Sequence, residues 1–151
     1  MRRLEIQEDH DRAIRDHATR TFPHECCGFL LGKDGAEVRR ISSVVAATNI
    51  RDDSERHHRF TITPESFMAA DRAARQRKLD VLGFYHSHPN APARPSQYDL
   101  DHAWPIYSYV IVSVRDNRAR EMTSWVLRDD RTRFDEQVVT IVSTEEQTRC
   151  P

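Results

Sequence analysis

Val81-Leu-Gly-Phe-Tyr85 is a near-continuous apolar run that ends directly in His86-Ser-His88-Pro89. Such a run is the pattern of a strand buried on both faces, which belongs in the middle of a sheet covered from either side. The two histidines therefore emerge from the end of a core strand. In an extended segment alternate side chains share a face, so His86 and His88 project the same way, about 6.6 Å apart along the backbone at the strand rise. Pro89, Pro92 and Pro95 then forbid further ladder bonds and stiffen the connection. Residues 96–103 follow as a short helix stopped by Pro105, with Asp99 in its first turn.

Both imidazoles can lean onto one ion, and a rigid loop followed by a helix turn can return the Asp99 carboxylate to the pair. Two neutral imidazoles and one carboxylate suit zinc better than calcium or magnesium, and three protein ligands leave a fourth position for water, as in catalytic zinc sites. Each part has a plainer reading. Ser96-x-x-Asp99 is also a helix start, with Ser96 capping and an acid in the first turn. An isolated His-x-His is more often a surface pair. The full spacing, His86-x-His88, seven residues, Ser96, two residues, Asp99, has few accidental occurrences, so the set is read as a site for one catalytic metal ion.

The rest of the chain supplies the frame. Residues 6–20 read as an amphipathic helix with Ile14 and Ala18 four apart, ending before Pro23. The apolar run 27–32, turn residues at 33–35 and the Val/Ile-rich stretch 37–47 predict a hairpin. Residues 49–59 are polar and aperiodic, an exposed loop holding His57 and His58, and 60–63 form a short strand. Thr63 as N-cap and Pro64 at the first helical position open a helix that keeps Phe67, Ala70 and Ala74 on one side up to residue 78. Residues 107–114 and 120–127 are two strands around the turn Asp116-Asn117. Residues 134–142 are a further strand or helix, so one domain is expected over 1–142 with a flexible tail over 143–151.

Charge and length exclude several classes. With 23 Lys and Arg against 24 Asp and Glu in 151 residues, no strong field steers the chain toward nucleic acid or an anionic membrane. No secretory apolar region follows the basic N-terminus, and no apolar run approaches a membrane span, so a cytoplasmic protein is expected. Cys26, Cys27 and Cys150 make no disulfide framework. A cysteine nucleophile at Cys26 or Cys27 would need an orienting partner that cannot be identified, and packing in the core or site wall is the better reading. His102, one helical turn after Asp99, is either a partner of that carboxylate or a surface residue; His10 and His17 read as exposed helix positions. The Pro-Cys-x-x-Cys of the zinc nucleobase deaminases is missing.

The segment from His86 to Asp99 resembles the signature of the JAMM (MPN+) metallopeptidases, which joins His-x-His-x7-Ser-x2-Asp to an upstream Glu just before an apolar strand. Glu25, in Pro23-His-Glu-Cys-Cys-Gly-Phe-Leu-Leu-Gly32, sits where that Glu belongs, and Gly-Phe-Tyr-His-Ser-His-Pro is similar to small bacterial members. The resemblance spans roughly residues 22–127. It implies a three-layer, cytidine-deaminase-like α/β fold, a curved mixed sheet flanked by helices. It implies one zinc held by His86, His88 and Asp99, Glu25 as the proton carrier, and Ser96 as donor to the developing oxyanion. Family members act on C-terminal tails of ubiquitin-like proteins. The short chain is similar to those that trim or release residues from a sulfur-carrier protein, with the loop 49–63 as candidate tail groove. Two other readings stand beside it: a non-catalytic scaffold of the same fold, and an isopeptidase on ubiquitin conjugates. A homodimer is also possible.

Overall fold

The computed structural model describes residues 1–47 and 62–143, and statements of absence below concern these residues. In chain order they form β1 (Arg3–Gln7), α1 (Glu8–Thr21), β2 (Cys27–Asp34), β3 (Val38–Ala47), α2 (Pro64–Gln76), β4 (Asp80–Pro89), α3 (Gln97–His102), β5 (Ser108–Arg115), β6 (Arg118–Leu127), β7 (Phe134–Gln137) and β8 (Val139–Val142). The strands make one mixed sheet in the order β7-β6-β5-β4-β2-β3-β1-β8. The apolar run 81–85 thus lies in a central strand, β4, paired antiparallel to β2 and parallel to β5.

Two apolar layers enclose the sheet. Ile14 and Ala18 of α1 pack with Leu30, Ile41, Val110 and Val112 on one face. Ala70 and Ala74 of α2 and Ala103 after α3 pack with Phe29, Phe84 and Tyr109 on the other. This is the three-layer α/β arrangement that the resemblance implied. Close approach at the centre depends on two glycines. A Cβ at Gly83 would lie 2.0 Å from the Ser108 carbonyl oxygen, and one at Gly28 would meet the Tyr85 ring. The Asp116-Asn117 turn forms as expected, both residues at positive φ (55° and 60°) in the two-residue geometry that suits strand twist.

Several expectations need correction. The first helix starts at Glu8, not Ile6, because Leu4 and Ile6 alternate inward on β1, a strand that pairs with both β3 and β8. Three acids in the first turn of α1 favour that start by meeting the helix dipole. Thr63 caps α2 through its side chain to Ser66 N at 3.0 Å with Pro64 first in the helix, so Ile62 and Thr63 are not strand. The remainder of the predicted strand and the loop with His57 and His58 lie outside the described residues, as do tail residues 144–151.

Residues 134–142, read as one strand or helix, become two strands at opposite ends of the sheet order, separated by Val138 alone. The sheet therefore curls until its two ends meet. Gln137 holds the junction: its Oε1 accepts from the Ser108 and Ser124 hydroxyls at 2.8 Å each, and its Nε2 donates to the Arg2 carbonyl at 2.9 Å. Among the described residues no helix is long and apolar enough to cross a membrane.

Candidate metal centre

β4 carries His86 and His88 on the face that α2 and α3 cover, the same face as Phe84 two residues earlier. Their Nε2 atoms stand 3.1 Å apart. Asp99 Oδ2 lies 3.5 Å from His86 Nε2 and 3.4 Å from His88 Nε2. These three are the group among the described residues whose ligand atoms converge, all within 4.8 Å of one another.

The intervening loop delivers the carboxylate because its backbone is tied to the sheet. Asn90 turns the chain at φ 56° and its N–H donates to the Val114 carbonyl at 2.7 Å. Ser113 and Thr123 hydroxyls then donate to the carbonyls of Ala91 and Ala93 at 2.5 and 2.6 Å. At the start of α3, Ser96 and Asp99 form a reciprocal capping box: Ser96 Oγ accepts from Asp99 N at 3.1 Å, and Asp99 Oδ2 accepts from Ser96 N at 2.8 Å. The helix-start reading and the ligand reading of this motif are one geometry, since the oxygen that caps is the oxygen that faces the imidazoles. Ser96 uses its oxygen as the cap, is exposed, and keeps its hydroxyl proton to donate.

The donor set fits a divalent ion such as zinc. His88 Nδ1 donates to the Pro92 carbonyl at 2.9 Å, which leaves the Nε2 lone pair facing Asp99. Two imidazole lone pairs and a carboxylate oxygen at these separations repel unless a cation or a proton lies between them. Electrostatics point the same way. Burial opposes ionisation of Asp99, yet the His86 and His88 rings and the Ser96 N–H hold its carboxyl well below the ordinary carboxylate range. Burial pushes the His86 pKa down. Burial also disfavours His88 charge, but its bonds to Asp99 and the Pro92 carbonyl, with the Asp99 and Glu25 charges, raise its pKa on balance.

Glu25 is buried two residues before β2. Cys27 pairs with His86, and the ladder continues through Ser87 N to the Cys26 carbonyl at 3.2 Å, which sets Glu25 opposite His88 on the same face. Cys26 and Cys27 are buried free thiols, pushed up by burial to about 11 and about 12, so neither is a thiolate at neutral pH. Cys26 packs in the core beside α1, and Cys27 adjoins His86 as part of the wall. His102 Nδ1 donates to the Tyr98 carbonyl at 2.8 Å, with the ring stacked on Tyr98, so it is an exposed residue bonded within its own helix. His10 and His17, expected to be exposed, are both partly buried. His17 Nδ1 pairs with Tyr85 Oη at 2.7 Å, behind the end of β4 that carries His86 and His88.

One feature near the site had no clear sequence signal. A groove of about 650 Å³ runs from Asp99 between α2 and residues 103–107, over Phe67, Phe84 and Tyr107. Its residues come from three separated stretches, and only the isolated Trp104-Pro-Ile106 hints at it.

Comparison with known proteins places this geometry among relatives. The family described as prokaryotic homologs of the JAB domain matches residues 7–128. The desampylase of Haloferax volcanii is 32% identical over 116 residues, 74% of this chain and 81% of that one. The CysO-cysteine peptidase of Mycobacterium tuberculosis is 32% identical over 128 residues, 83% of this chain and 84% of that one. A solution structure of a protein from Desulfitobacterium hafniense superposes with a TM-score of 0.81 at 26% identity, covering 93% of both chains.

Proposed function

The chain belongs to the prokaryotic JAB-domain family, and from that membership we propose that it is a zinc-dependent peptidase that hydrolyses a peptide bond at the C-terminal tail of a ubiquitin-like, sulfur-carrier type protein. The observation that carries the reading is the convergence of His86 Nε2, His88 Nε2 and Asp99 Oδ2. In this reading those three residues hold the ion. Zinc, when bound, supplies Lewis-acid polarisation of the scissile carbonyl and lowers the pKa of water from 15.7 toward about 7.

The chain's own residues do the rest. Glu25, an acid buried on the His88 side of the site, takes the proton of the attacking water and passes it to the departing amine. Ser96, whose oxygen is occupied by the cap, turns its hydroxyl proton toward the oxygen that gains charge. Asp99 stays ionised throughout because its neighbours hold its pKa low. The substrate class is supported by the relatives' names: one is a desampylase and another a CysO-cysteine peptidase.

A sulfur-carrier protein bearing one extra residue after its Gly-Gly end, incubated with the zinc-loaded chain and weighed by mass spectrometry, tests the proposal. The expected product is the carrier shortened to Gly-Gly. Glu25→Ala is expected to keep its zinc and lose cleavage, and His88→Ala to lose both. Zinc loss in the first variant, or undiminished cleavage in either, contradicts the assigned roles. A scaffold of the same fold would cleave nothing, and an isopeptidase on ubiquitin conjugates would cleave ubiquitin chains in preference.

A further inference from the structure

Trp104 and Ile106 are 64% and 73% exposed, unusually open for large apolar side chains. The backbone beneath them is nonetheless pinned at three points. Arg131 Nη2 donates to the Ala103 carbonyl at 2.8 Å, Trp104 N–H donates to Tyr109 Oη at 2.9 Å, and Arg39 Nη1 donates to the Ile106 carbonyl at 2.7 Å. Arg39 is itself buried and fixed by Asp34. Ile106 sits at φ 88°, in the left-handed half of the map where a β-branched residue is a strained outlier. Such strain persists where the surroundings over-determine it, and functional sites are where it collects. A clamped loop that holds two apolar side chains out into water is a preorganised contact surface rather than a loose turn.

These two side chains form one wall of the groove that begins at Asp99, and Phe67, Phe84 and Tyr107 form its floor. The groove volume, about 650 Å³, falls within the roughly 300–1,000 Å³ of ligand pockets. Among the described lining residues there is no Lys, Arg or Glu; Asp99 belongs to the metal group and His102 is bonded to Tyr98. A charged side chain entering there would lose its hydration and find no counter-charge among those lining residues; the Arg131 guanidinium lies 5.8 Å from the Trp104 ring centre and does not line the groove. We propose that this groove is the specificity pocket of the site and takes a large uncharged apolar side chain, of the leucine or phenylalanine kind, close to the cleaved bond of the substrate tail. The proposal rests on the peptidase reading for the position of that bond, while the pocket's preference is a matter of binding alone.

Binding and cleavage therefore test it separately. The probes are acetyl-Xaa-Gly-Gly-Xaa-amide peptides with Xaa as Leu, Phe, Asp or Lys. They are titrated into the zinc-loaded chain carrying Trp125→Phe, so that Trp104 alone reports by fluorescence. Leu and Phe peptides are expected to saturate with a blue shift of the Trp104 emission, and Asp and Lys peptides to bind at least tenfold more weakly. Ile106→Ser is expected to weaken Leu-peptide binding at least fivefold with zinc content unchanged. Equal affinity for the four peptides, no binding of the Leu peptide, or undiminished binding by Ile106→Ser overturns the proposal. A chain that binds the Leu peptide selectively but cleaves no carrier or peptide keeps the pocket and defeats the peptidase reading. One that cleaves all four peptides equally does the reverse.

Discussion

Asp99 Oδ2 accepts the Ser96 amide and also faces both imidazoles, so a single oxygen joins the helix cap to the proposed metal group. Ser96 therefore has a stabilising role and a proposed catalytic one, and two substitutions separate them. Ser96→Ala removes cap and donor together, with an expected loss of about 1 kcal/mol in stability and about a hundredfold or more in kcat. Ser96→Gly is expected to lose as much in kcat but only a few tenths of a kcal/mol in stability. Thermal unfolding beside turnover checks both, and a Ser96→Gly variant with full turnover would assign Ser96 to the cap alone.

The site's protonation gives a second expectation at this scale. His86 is pushed toward neutrality and Asp99 toward ionisation, whereas the His88 pKa is raised. A metal must displace the His88 proton, so affinity is lost as pH falls through that raised pKa, beginning above the ordinary histidine value of about 6.5. Below it, zinc competition against a chelator should show about a tenfold loss per pH unit, one proton per ion; a two-proton slope would contradict the assignment. His86, His88 and Asp99 were legible because strand period and helix capping are local rules. Glu25 is singled out only through resemblance, since its place opposite His88 depends on strand pairing. His17 was misread because its partner, Tyr85, is far away in sequence.

At the scale of elements, β4 decides the architecture, and it was readable because its apolar run and its histidines are continuous. Its parallel partner β5 approaches so closely at Gly83 that an added Cβ meets backbone, which cannot move aside as a flexible side chain would. Gly83→Ala is accordingly expected to cost about 3 kcal/mol, the upper end for overpacked cores. Chemical denaturation measures it, and a cost below 1 kcal/mol would mean that the two strands separate more easily than this packing allows. β1 was missed because five residues with two apolar positions are a weak pattern, and its partners β3 and β8 are not its neighbours in sequence.

For the molecule as a whole, the curl that brings β7 and β8 together was invisible in the sequence, because residues 134–142 look like one element. What divides them is Gln137, whose amide reaches β5, β6 and the start of the chain at once. Gln137→Ala leaves two buried hydroxyls without their acceptor and a carbonyl without its donor, a loss of about 1–3 kcal/mol for each group left unsatisfied. The junction pairs with the beginning of β4 through Ser108 and Gly83, while His86 and His88 occupy its other end. The variant should therefore melt several degrees lower and still bind zinc; unchanged melting would remove Gln137 from this role.

If His86, His88 and Asp99 hold an ion the reaction requires, cleavage of the extended carrier must follow the zinc content of the same samples before and after chelation. One zinc per chain with full cleavage is expected, neither after stripping, and both restored when zinc is returned. Full cleavage by the stripped chain would contradict it.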